Sequence, residues 1–141
     1  MDLRVKIGDC VFDHPIMNAS GPRCTETSEL CELLFSDSSG ILSKSCTLEK
    51  RDGNEKPRYY DNKYLSINSM GLPNKGYDFY IDMIDKINDY YTKPYIISVA
   101  GLKLQDNIKI INSINDKLDC SECKNVGIEL NLSCPNLVNK G

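Results

Sequence analysis

Three short apolar runs, each separated from the next by an amphipathic stretch of helical period, constrain this chain more than any other feature. The runs are Gly40-Ile41-Leu42, Pro94 to Gly101 and Ile128 to Leu132. The spacing predicts a helix from about Thr27 to Ser36, with Leu30, Leu33 and Leu34 on one face. Thr25, Thr27 and Ser28 offer N-caps there, and Glu26 and Glu29 suit the first turn. A second helix is expected from about Lys75 to Tyr91, with Tyr77, Tyr80, Ile81, Ile84, Ile87 and Tyr91 at helical spacing. Leu104, Ile108, Ile111, Ile114 and Leu118 mark a third. Ahead of these, Leu3 to Ile7 and Cys10 to Phe12 read as a hairpin around Gly8-Asp9, and Pro15 to Ser20 as a further strand. Near-continuous apolar strands alternating with amphipathic helices predict parallel βαβ units and an α/β fold.

The polar residues that a core strand has no use for fall at strand C-termini or in the loops that follow. They are Asn18 to Gly21, Lys44-Ser45, Asn68 to Leu72 and Asn131 to Asn136. Ligand sites of parallel α/β folds are built at that end. A closed (β/α)8 barrel takes about 250 residues. The 141 residues hold about four βα units after the hairpin, so the expectation is the first half of a TIM barrel, residues 1–141 being one part of one domain.

Composition closes off other classes. A net charge of −3 without a basic stripe gives no footprint for nucleic acid. The opening MDLRVKIGDC is too charged for a secretory signal. The most apolar run, Tyr95 to Gly101, is too short to span a bilayer. The expected location is cytoplasmic. Seven cysteines then read as reduced thiols rather than a disulfide framework, and Cys10, Cys31 and Cys46 as packing residues.

Several residues invite chemistry, each with a plainer alternative. Lys44 is either an ordinary lysine past a strand end or a charge aimed at a ligand, suited to a developing negative charge. Cys134 is a core thiol, a nucleophile or a general base. His14, the only histidine, is distant in sequence, and a base cysteine needs only a thiolate fraction at working pH. Cys120-Ser121-Glu122-Cys123 is a CxxC with no second ligand pair; two thiols in a solvent loop is the simpler reading, and no metal is expected. Asn68, Asn131 and Asn136 each offer one acceptor and two donors, which suits a planar ligand with alternating C=O and N–H groups. Asn54, Asn74 and Asn139 read as turn or cap residues. The long segment Cys46 to Asn74 is functional or disordered by its length, and its Tyr59, Tyr60, Tyr64, Ile67, Met70 and Leu72 argue against disorder.

In order along the chain stand Met17-Asn18-Ala19-Ser20-Gly21, Ser43-Lys44-Ser45, Arg51-Asp52-Gly53-Asn54, Pro57-Arg58-Tyr59, SINSMGLPN from Ser66 to Asn74, and ELNLSCPN from Glu129 to Asn136. With these the chain resembles the dihydroorotate dehydrogenases, in particular the soluble class that passes electrons to fumarate. SINSMGLPN and ELNLSCPN carry most of the specificity.

The resemblance implies a (β/α)8 barrel with FMN at its mouth, oxidation of dihydroorotate to orotate in pyrimidine biosynthesis, and a homodimer in the intact enzyme. It implies that Cys134 takes the proton from C5 of the substrate while hydride leaves C6. Ala19, Ser20, Lys44, Ser45 and Asn131 would touch FMN. Lys44, Asn68, Ser69, Met70, Gly71, Leu72, Asn131 and Asn136 would hold substrate. Where the family continues past its cysteine with a Pro-Gly-Lys-Pro-like lid, this chain reads Leu137-Val138-Asn139-Lys140-Gly141. The alternatives are another FMN barrel enzyme acting on a reduced pyrimidine, and an inactive half-barrel with a binding role.

Overall fold

The structure, a computed structural model, describes residues 1–88, 92–121, 123 and 125–137. The expected helix end at Tyr91 and the segment Val138 to Gly141, including Asn139, lie outside the described residues. The chain opens with an antiparallel hairpin of β1 (Val5–Ile7) and β2 (Cys10–Phe12), joined by Gly8 at φ 58. Then come α1 (Thr27–Phe35), β3 (Ile41–Leu42), a second hairpin of β4 (Tyr59–Asp61) and β5 (Ser66–Asn68), α2 (Tyr77–Asn88), β6 (Tyr95–Val99), α3 (Leu104–Asp119) and β7 (Val126–Leu130). The strands β3, β6 and β7 form a parallel sheet in the order β3-β6-β7. The α/β class and parallel pairing follow the expectation: three helices accompany three parallel strands, an arrangement compatible with part of a barrel.

The core lies between one sheet face and the helices. Ile41, Tyr95, Ile97 and Val99 occupy registered positions on that face and are almost wholly buried. They meet Leu30 and Leu34 of α1, Tyr80, Ile84 and Ile87 of α2, and Ile110 and Ile114 of α3. Each such aliphatic side chain contributes about 1.5–3 kcal/mol on burial. The Tyr95 hydroxyl, inside this core, donates to the Tyr80 carbonyl at 3.2 Å, so its polarity is satisfied. On α3, Leu104 and Ile108 of the expected apolar stripe are exposed. On β7, Ile128 and Leu130 are also exposed, although they extend the row of buried Ile97 and Val99.

Two local expectations are corrected, and one segment holds an element that was not anticipated. Pro15 to Ser20 forms no strand. Pro15 has no N–H to give, and at Asn18 the side chain does the pairing: its Nδ2 donates to Leu42 O at 2.7 Å and its Oδ1 accepts from Leu42 N at 2.9 Å. The segment therefore lies against the β3 edge through an amide that imitates backbone. The N-cap of α1 is Glu26 rather than Thr25, Thr27 or Ser28, because the Glu29 carboxylate reaches back to the N–H groups of Thr25 (2.8 Å) and Glu26 (3.0 Å). The segment from Cys46 to Asn74 contains the β4–β5 hairpin.

Candidate active site

The C-terminal ends of β3 and β7, with the loop at Ser20 to Pro22 and the stretch from Asn68 to Lys75, frame a cavity of about 590 Å³. A bulge after β3 aims the first residues into it. Backbone pairing runs Ser43 N to Ile96 O, then Cys46 N to Ser98 O, so three steps on one strand match two on the other. The extra residue breaks the alternation of faces. Lys44 N–H leaves the sheet for Cys24 O at 2.8 Å, and both Lys44 and Ser45 line the cavity. Lys44 is buried, with 8% of its surface exposed, and its Nζ donates to Ser20 O at 3.3 Å. Among the described residues it pairs with no carboxylate. A buried cation without an anion is a place for an anionic or electron-rich ligand.

Ser20, Ser45 and Asn131 meet directly. Ser20 Oγ lies 2.9 Å from Ser45 Oγ, and Asn131 Nδ2 donates to Ser45 Oγ at 3.0 Å. Asn131 stands one residue past β7, where its N–H still reaches Val99 O at 2.8 Å. Ser133 N donates to its Oδ1 at 3.2 Å, which fixes which end of the amide faces Ser45.

The opposite wall is the stretch from Asn68 to Asn74. Asn136 Nδ2 donates to Asn68 Oδ1 at 3.4 Å, joining two loops 68 residues apart in sequence. Asn54 ties them again: its Nδ2 donates to Ser69 O and to Asn136 O, each at 2.8 Å. Gly71 (φ 73) and Leu72 (φ 55) both take left-handed backbone, costing about 1 kcal/mol or more at Leu72. Both residues are buried, and among the described residues neither backbone N–H donates to a protein acceptor. Buried amide donors left open at a cavity wall suit a carboxylate. Asn74 holds this turn from beneath, accepting from Thr47 N and Gly76 N and donating to Leu72 O, a structural role as expected. Asn54 is more than a turn residue, since it clamps both loops.

Cys134 lines the same cavity, half-buried, with Asn68, Met70, Gly71, Leu72 and Asn136. Of the residues singled out in the sequence, Ser20, Lys44, Ser45, Asn68, Met70, Gly71, Leu72, Asn131, Cys134 and Asn136 line it together. Ala19 does not; it lines an adjoining hollow with Met17, Leu42 and Ile96. Ser69 is also outside the lining, its N–H donating to Arg58 O at 2.9 Å. Arg51 and Arg58, not singled out as site residues, are in the wall, and Arg58 is held by the carbonyls of Asp52 and Asn54.

The other thiols are elsewhere. Burial pushes Cys24 up to about 11 and Cys46 up to about 12, so both are neutral packing groups. Cys120 is exposed after α3, whereas Cys123 packs against the core. Among the described residues no three His, Cys, Asp or Glu side chains gather as metal ligands, and no helix is long and apolar enough to cross a membrane.

Comparison with known proteins names a family for the chain. The family model described as Dihydroorotate dehydrogenase matches residues 2–141. The chain is 41% identical over 140 residues to a dihydroorotate dehydrogenase (fumarate) of Trypanosoma cruzi, covering 99% of this chain and 44% of that protein. It is 42% identical over 140 residues to that of Kluyveromyces lactis, covering 98% of this chain and 43% of the relative. It is 43% identical over 141 residues to dihydroorotate dehydrogenase A (fumarate) of Lactococcus lactis, again covering 98% and 43%. The chain thus spans less than half the length of these relatives, and nearly all of it aligns: it belongs to the dihydroorotate dehydrogenase family.

Proposed function

We propose that this chain is the N-terminal half of a soluble, FMN-dependent dihydroorotate dehydrogenase of the fumarate class, forming the substrate side of its active site. The carrying observation is that Cys134, Lys44, Asn68, Asn131 and Asn136, scattered over 93 residues of sequence, line one cavity. In this reading residues 1–141 are part of a single (β/α)8 barrel domain. The exposed row Ile128 and Leu130 on β7 is the surface on which the barrel continues. The enzyme works in the cytoplasm as a homodimer, without nucleic acid or membrane partners.

The donor set fits a flavin. Ser20, Lys44, Ser45 and Asn131 would hold FMN, and the buried Lys44 ammonium would stabilise negative charge on its electron-rich edge. FMN, when bound, supplies the hydride acceptor; fumarate serves as final acceptor. The chain's own part is orientation and proton removal. The open N–H groups of Gly71 and Leu72 bind the substrate carboxylate. The amides of Asn68, Asn131 and Asn136 pair with the ring's alternating C=O and N–H groups. Cys134, as thiolate, takes the C5 proton as the C6 hydrogen leaves with its electron pair, so the C5–C6 double bond of orotate forms. Closing water out of the cavity keeps that proton transfer productive.

The test is anaerobic. FMN and then dihydroorotate are added to the purified chain, and to a longer protein carrying the rest of the barrel, while flavin absorbance is followed. Bleaching in the longer protein, slowed at least 100-fold by Cys134→Ala, supports the assignment. Equal bleaching with dihydrouracil would move it to another reduced pyrimidine. Rapid bleaching in the 141-residue chain alone would refute its standing as half an active site. Absence of flavin binding by the longer protein would refute the flavin reading altogether.

A further inference from the structure

A chain of hydroxyl groups runs beneath the cavity and ends on a carboxylate. Ser98 on β6 and Glu129 on β7 are register partners in adjacent parallel strands, so their side chains share a sheet face. Ser98 Oγ donates to Glu129 Oε1 at 2.7 Å. Ser98 Oγ also lies 2.9 Å from Ser45 Oγ, which lies 2.9 Å from Ser20 Oγ. Ser98 and Ser45 are fully buried, so these groups have no water to fall back on.

The direction of every proton in this chain is forced. An ionised carboxylate only accepts. Ser98 must therefore spend its one hydrogen on Glu129. For the Ser45–Ser98 contact to be a hydrogen bond, Ser45 must then donate to Ser98. Ser45 has no second hydrogen, so Ser20 must donate to Ser45. Ser20 Oγ is left as an acceptor, and Ser45 N–H already donates to it at 2.7 Å. Ser45 Oγ, accepting from Ser20, takes its second bond from Asn131 Nδ2.

We propose that Glu129 and Ser98 are positioning residues that set the donor and acceptor polarity of the cavity wall formed by Ser20, Ser45 and Asn131. With Glu129 ionised, the wall presents the remaining Asn131 N–H as a donor and Ser20 Oγ as an acceptor. That pattern selects a ligand edge with a C=O opposite Asn131 and an N–H opposite Ser20, the imide edge of a planar heterocycle. Replacing the carboxylate by an amide removes the constraint: Gln can donate to Ser98, the hydroxyls can reverse, and Ser45 can turn its hydrogen towards Ser20, which leaves the Ser20 hydroxyl to donate into the cavity. The consequence for flavin rests on the function proposed above; the polarity itself does not.

The test reads the chain directly. The Asn131 side-chain amide is followed by NMR in 15N-labelled protein and assigned by its loss in Asn131→Asp. Glu129→Gln and Ser98→Ala are each expected to move the Asn131 Nδ2 resonances and the Ser45 backbone amide. Glu129 is exposed, so its amide variant keeps the fold, which circular dichroism checks. Unchanged Asn131 and Ser45 signals in Glu129→Gln would overturn the proposal. So would a response confined to Ser98→Ala, which would mark Ser98 as packing only. In the longer, flavin-binding protein, Glu129→Gln should weaken FMN roughly tenfold, the worth of about one misdirected hydrogen bond. Unaltered affinity there overturns the ligand consequence. If the unsubstituted protein takes no flavin, the function fails and the amide signals still decide the polarity.

Discussion

Gly71→Ala should damage this protein more than its place in a loop suggests, and the size of the effect can be built from contacts. At φ 73 the backbone is left-handed, which costs a residue with a Cβ about 1–2 kcal/mol. The added methyl would meet Asn54 Oδ1 at 2.3 Å, Asn54 Cγ at 2.5 Å and the Asn54 backbone N at 2.8 Å. Rotating the Asn54 side chain away relieves the first two contacts and gives up both clamp bonds, to Ser69 O and Asn136 O. Each is worth about 1 kcal/mol. The contact with the backbone N cannot be rotated away, so the segment around Met70 must shift as well. The sum is about 3–4 kcal/mol, or a fall in Tm on the order of 10 °C for a chain of this size. Asn54→Ala, which loses only the clamp, should cost about 2 kcal/mol. Urea denaturation of the three proteins side by side measures the ordering. If Gly71→Ala came within about 0.5 kcal/mol of the unsubstituted chain, the reasoning from left-handed backbone and crowding would be wrong.

Three further outcomes are expected. Lys44→Met removes a buried cation that has no carboxylate partner among the described residues, so the ligand-free chain should gain about 1 kcal/mol in urea denaturation while flavin or orotate binding by the longer protein is lost; lower stability together with intact binding would contradict the assignment of Lys44. Asn18→Ala strips Leu42 of both its N–H and C=O partners and should cost about 2 kcal/mol, with loss of hydrogen-exchange protection at Leu42 as the direct readout. Stability should also fall on the alkaline side. Cys24 and Cys46 titrate at about 11 and about 12 when folded, against 9.0 as the ordinary value. Above pH 9 the unfolded chain loses protons that the folded chain keeps, so the contribution present below pH 9 drains away as pH rises towards 12. Urea midpoints at pH 8 and pH 10.5 measure this, and Cys46→Val should flatten the slope.

The legible part of this fold is the part whose residues face a single environment. Ile97 and Val99 are buried between sheet and helices, and their run could be read as a core strand from composition alone. Leu30, Leu34, Ile84 and Ile87 carry helical spacing for the same reason. The β4–β5 hairpin left no such trace, because every residue from Tyr59 to Asn68 is exposed and no alternation of burial exists to be recorded in sequence. The misread strand at Pro15 to Ser20 has the opposite cause. Its neighbour is bonded by a side chain, and Asn18 in an apolar setting reads equally as a strand end or as the site residue that follows one.

The candidate site divides along the same line. Asn131, Asn136, Lys44 and Cys134 were conspicuous because polarity directly after an apolar strand has no structural use, Asn68 through the SINSMGLPN motif that contains it, and the structure brings all five to one cavity. Ser98 and Glu129 carry the same kind of polarity one step earlier, within the strands, where each alone passes for a tolerated exception. Their significance is a property of the pair: it appears only when the register sets Ser98 beside Glu129 and the bulge turns Ser45 onto Ser98. No spacing rule on a single strand contains that information, since the two residues lie 31 positions apart and are joined by a helix whose length does not fix the register. In a parallel sheet, then, residues that present a ligand can be found by scanning one strand end. Residues that orient those presenters become visible only from the pairing of two strands.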